Sequence, residues 1–168
     1  MEILGIALLV PLGGITIIAL FGAVNLLLPV TVEKISSNLE NSLGRSLLIG
    51  VVNFIFFGVL ALALFWLSEQ SGKGLRGLFI FLAGIILVGI AIVALFGLSA
   101  FAKLIGERIG GRKTPFTSDL RGGALLLLAA LAPYIGWFIF TPLVLWAGFG
   151  ASISAILRKD KEMPSQEE

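Results

Sequence analysis

Residues 122–157 carry no charged side chain. As one straight helix they would extend beyond about 50 Å, against a hydrocarbon core about 30 Å thick. A run this long crosses a bilayer at extreme tilt, or it breaks and comes back. Pro133 and Gly136 lie near its middle, with Pro142 six residues beyond Gly136. Proline removes a backbone donor and clashes with the preceding turn, and glycine relaxes the backbone. The sequence therefore predicts a break between positions 133 and 142, with Trp137 holding the turn at an interface.

The basic residues favour a return. Lys34 and Arg45 follow the first apolar run, and Lys73 and Arg76 follow the second. Lys103, Arg108, Arg112, Lys113 and Arg121 form a basic loop after the third, and Arg158, Lys159 and Lys161 lie in the tail. Lys and Arg concentrate on the cytoplasmic side of a membrane protein. A single crossing by residues 122–157 would divide them seven to five, and a return divides them ten to two. The expected arrangement has the N-terminus outside, with the first loop, the third loop and the C-terminus inside. A full double crossing and a re-entrant dip both remain open.

The rest of the chain agrees with a membrane protein. Of the 168 residues 58% are hydrophobic and only 13% charged, about half the charge of a globular protein. The expected fold is an all-α bundle of three long transmembrane helices plus the Pro/Gly-broken fourth run. The spans are expected at about 3–28, 47–67, 76–102 and 122–157, as one domain ahead of a polar tail, 158–168. A transmembrane barrel would need alternating ten-residue segments, which do not occur. The first run has no Lys or Arg before Lys34, so it reads as a retained span rather than a signal peptide. Pro11 with Gly13 and Gly14 predicts a kink in it.

After Pro29 the pattern changes. Val32, Ile35, Leu39 and Leu43 recur three or four apart, while Glu33, Lys34, Ser36, Ser37, Asn38 and Asn41 take the other faces. This predicts an amphipathic interfacial helix over about 31–44, N-capped by Thr31. Thr117 or Ser118 is expected to cap the start of the fourth run.

Chemistry-bearing residues are scarce. Histidine and cysteine are absent, which removes the commonest general base and metal ligand as well as disulfides and thiolate sites. The apolar runs hold no ionisable residue, although ion and proton pathways usually need one. Asn25 and Asn53 are expected to hydrogen-bond within or between helices. Glu107 is expected to pair with Lys103 or Arg108. Ala147, Gly148, Ala151, Ser152 and Ala155 recur at small-residue spacing, suited to close packing within the chain or to self-association as a homo-oligomer. Gly106 and Gly110 match the same spacing only formally. No catalytic residue, cofactor, metal or nucleic-acid site is expected, and the chain does not read as an enzyme.

Three phrases, in order, resemble a bacterial membrane domain of uncharacterised function: "LLPVTVEKISSNLENSLGRSLLIGV", "LFGLSAFAKLIGERI" and "LAPYIGWFIFTPLVLWAGFGA". That domain often stands beside, or is fused to, bactofilin-type polymer-forming cytoskeletal segments. This chain departs from it by beginning directly with the first span and by carrying "LVGIAIV" where relatives have Ile-Gly-Ile-Pro-Leu. The resemblance implies an inner-membrane scaffold or anchor, with the lipid bilayer and a bactofilin-like protein as partners. The alternative from another class is an oligomeric channel or transporter for a small solute or ion. Its path would be lined by backbone freed between positions 133 and 142.

Overall fold

Without water to satisfy the backbone, an apolar chain in lipid hydrogen-bonds within itself, and the helix is the simplest solution. The computed structural model describes residues 2–110 and 115–157. Arg112, Lys113 and the tail 158–168 lie outside them. The elements are α1 (Glu2–Leu27), α2 (Pro29–Asn41), α3 (Leu43–Gln70), α4 (Lys73–Gly110), α5 (Pro115–Leu131), a π-helical turn (Gly136–Phe140) and α6 (Thr141–Leu157). No strand occurs among the described residues.

Leu43–Gln70, Gly74–Ile109 and Gly136–Leu157 are long and apolar enough to cross a membrane, and the bent pair Pro11–Leu27 with Pro29–Asn41 makes a fourth candidate. Large apolar side chains such as Leu48, Phe56, Leu62 and Phe81 face outward, while Ala61, Ala83, Ala100, Ala102, Ala147 and Ala151 are buried. Lipid tails are as apolar as leucine, so association rests on close packing through small residues rather than on hiding large ones.

Residues 71–72 join α3 to α4. Gly50 and Gly97, at similar distances from that connection, both touch α6. The two helices are therefore antiparallel, and the start of α3 shares one end of the bundle with the end of α4. Lys103 pairs with Glu33 there, and Arg108 with Glu40 at 3.3 Å, tying α2 to α4. After a four-residue connection α5 leaves from this same crowded end. It packs back along α4, with Ser118 on Gly106 and Gly122 on Ala102.

α6 sits between α3 and α4. A Cβ added at Gly50 would lie 1.7 Å from the Trp146 carbonyl oxygen, and one at Gly150 would lie 1.8 Å from that of Ser46. A Cβ at Gly97 would lie 2.3 Å from the backbone of Gly148. Positions 146 and 150 lie roughly 200° around the helix from a neighbour two residues away. Gly148 therefore meets α4 on the face opposite the one that meets α3. Phe149 fills the space beside this contact, its ring edge-on to Phe54 with centroids 5.7 Å apart. Ala147, Gly148, Ala151 and Ser152 are buried and Ala155 is half-buried, all against neighbours within the chain.

The fourth run breaks, over a narrower stretch than the sequence predicts. α5 stops at Leu131, and the chain turns through 132–135, where Tyr134 has φ 65° and the Ile135 N–H donates to the Pro133 carbonyl at 2.8 Å. Gly136 then returns so close to α5 that a Cβ would lie 2.4 Å from the Ala129 carbonyl oxygen. Pro142 is not a break position: it lies in the first turn of α6. The π-helical turn ahead of it, closed by the Thr141 N–H on the Gly136 carbonyl, widens the helix where the ring would otherwise clash. Leu157, the last described residue, shares a cleft with Asn38, Ser42 and Arg45 at the α2–α3 corner. The run thus starts and finishes in the crowded half.

α1 runs through Pro11, and a Cβ at Gly13 or Gly14 would meet nothing within 4 Å. One further expectation is corrected. The amphipathic helix starts at Pro29, not after Thr31, because proline's fixed φ suits a first helical position. It ends at Asn41, where Ser42 turns back and donates both its N–H and its hydroxyl to the Asn38 carbonyl. Leu43 consequently belongs to α3 and is exposed, whereas Val32, Ile35 and Leu39 are fully buried against α4 and α6. α2 is bent 106° from α1.

Candidate functional site

The polar groups of this apolar bundle gather where α1, α2, α4 and α5 meet at the crowded end. The expected basic loop is mostly helix. Lys103 and Arg108 lie on the last turns of α4, and Arg121 on α5. Their helical placement gives fixed partners to Lys103, whose side chain is only 17% exposed, and to Arg108.

At the centre is a carboxylate that sequence reading passes over. Asp119 precedes the uncharged stretch and looks like part of a polar loop. Because α5 begins at Pro115, position 119 falls one turn inside a helix pressed between α1 and α4, and Asp119 is 6% exposed. Asn25, near the end of α1 and 7% exposed, faces it. Burial raises the Asp119 carboxyl above the ordinary carboxylate range; Asn25 and Lys103 pull it down, and Glu107 adds to the rise. Although Asn25 is close enough to act on that charge, neither its Nδ2 nor its Oδ1 closes a hydrogen bond. The Ser118 hydroxyl, where a helix cap was expected, is buried and also unpaired. Unsatisfied polar atoms at such depth are rare and call for a partner.

Asn53 is ordinary by contrast: its Nδ2 donates to the Ile49 carbonyl at 2.8 Å, one turn back on its own helix. Among the described residues no three acidic side chains converge as a metal site would require. The residues at the break face outward, with Tyr134, Ile135, Trp137, Phe138 and Ile139 all exposed. A mostly apolar cleft of about 440 Å³ opens elsewhere, between α3, α4 and α6, and Asn53, Phe57, Gly89 and Ile153 help to line it.

The close contacts between helices were only half visible in the sequence. Ser46 with Gly50, Ala102 with Gly106, and Ser118 with Gly122 are small pairs four apart that all make backbone contacts. That spacing was the available signal. Gly106 works with Ala102 one turn before it. No family model matches the chain, and comparisons with curated proteins and with solved structures return no match.

Proposed function

We propose that this membrane protein is a non-catalytic scaffold or anchor of the bacterial inner membrane. It would present α2 at the cytoplasmic surface to a membrane-associated partner, and the resemblance makes that partner a bactofilin-like polymer. The observation that carries the reading is the clamping of α2. A buried stripe and two ion pairs hold it, so its opposite face, with Lys34, Ser37 and Asn41, is a fixed exposed platform. A channel lined by the broken backbone draws no support from the outward-facing residues there.

Copurification from native membranes in mild detergent tests the reading. Ser37→Glu with Asn41→Lys is expected to lose at least tenfold of the bactofilin-like partner while eluting like the parent chain. Arg76→Glu at the opposite end is expected to keep it. Equal recovery from the platform variant, or a bactofilin-free eluate from the parent, would sink the proposal.

Sidedness follows from charge. Lys34, Arg45, Lys103, Arg108 and Arg121 share the crowded end, whereas Arg76 belongs to the other, and the basic end stays in the cytoplasm. In intact cells a cysteine replacing Ser71 should react with a membrane-impermeant thiol reagent, and one replacing Thr114 should not. The reverse pattern would invert the topology.

A further inference from the structure

We propose that Asp119 and Asn25 form a binding site for a single proton, held between α5 and α1 at the crowded end of the bundle. The inference stands independently of the scaffold reading. A carboxamide is suited to both states of a carboxyl. When Asp119 is protonated its O–H can donate to Asn25 Oδ1, and when it is ionised it can accept from Asn25 Nδ2. Both amide atoms are buried and unspent, so each state has a partner waiting.

The surrounding charges make the occupancy consequential. Lys103 and Glu107 act on Asp119 from α4; α1 offers only the neutral Asn25, and α2 reaches the site through Glu33, the partner of Lys103. With Asp119 ionised, Asp119 and Glu33 compete for one ammonium. With the proton bound, Lys103 remains with Glu33. Loss of the proton therefore draws Lys103 toward Asp119 and weakens one of the two ion pairs that hold α2. The step is an acid–base equilibrium only: the carboxylate gains or loses H⁺, and nothing is oxidised or reduced.

Infrared spectroscopy of the purified full chain in lipid nanodiscs, titrated upward from acidic pH, tests this. The difference between the parent and Asp119→Asn isolates the one carboxyl. Its protonated-carboxyl carbonyl band is expected to persist above the pH at which exposed carboxyls have lost theirs, then to fade as pH rises. In Asn25→Leu the midpoint is expected at higher pH by about a tenfold change in proton concentration, because the carboxylate loses its donor. Should Asp119→Asn fail to fold, the Asn25→Leu shift decides. Identical spectra for parent and Asp119→Asn, or an Asn25→Leu midpoint unchanged from the parent, would overturn the proposal. So would a band abolished by sodium at constant pH, which would assign the site to a metal cation.

Discussion

Gly50→Ala and Gly150→Ala are each expected to destabilise the bundle by about 3 kcal/mol, at the upper end for an overpacked site. The added methyl group would sit 1.7 or 1.8 Å from a carbonyl oxygen on the facing helix. That atom belongs to backbone and cannot swing aside. α6 cannot retreat either, because its other face already rests on Gly97 through Gly148. Reversible unfolding in mixed detergent micelles is the measurement. Gly58→Ala and Gly84→Ala meet nothing within 4 Å, and each should be neutral or gain up to about 1 kcal/mol from helix propensity. A Gly150→Ala chain as stable as these controls would mean that α6 is not held between α3 and α4.

Leu39→Ala is the second large effect, expected to cost about 2 kcal/mol or more. Leu39 is fully buried in the cluster formed by α2, α4 and α6, so truncation removes packing contacts that nothing replaces. The loss should concentrate in α2, appearing as faster hydrogen exchange over residues 29–41 before the rest of the bundle opens. Leu43→Ala is the contrast, since Leu43 is 42% exposed and should change stability by no more than about 0.5 kcal/mol. Equal effects at positions 39 and 43 would restore the longer helix that hydrophobic spacing predicts.

That pair shows where periodicity misleads. Leu43 lies four residues after Leu39 and fits the stripe, but spacing carries no information about Ser42, whose backbone leaves the helical region at φ −153°. The long helices were legible because hydropathy over twenty residues is a strong signal. The break was legible because Pro133 and Gly136 act on the backbone locally. Pro142 was misread because the π-helical turn that accommodates it leaves no compositional trace. Asp119 was missed for another reason. A carboxylate beside Thr117 and Ser118 looks solvated, and only the start of α5 at Pro115, against α1 and α4, turns it inward. Which small pair meets which helix is likewise a property of three-dimensional register.

The crowding of one end has a consequence for the surrounding lipid. α2, α5 and much of α6 occupy one half of the bundle, whereas the other half holds α1, α3 and α4 with the π-helical turn, and Val59, Leu62, Trp66, Leu78 and Phe81 are exposed. Seated across a bilayer, each copy would displace more lipid from one leaflet than from the other. Copies gathered at high density would accumulate that area difference, and a sheet with unequal leaflet areas relaxes by bending. Such a taper would give the chain a preference for membrane curved toward its narrow end.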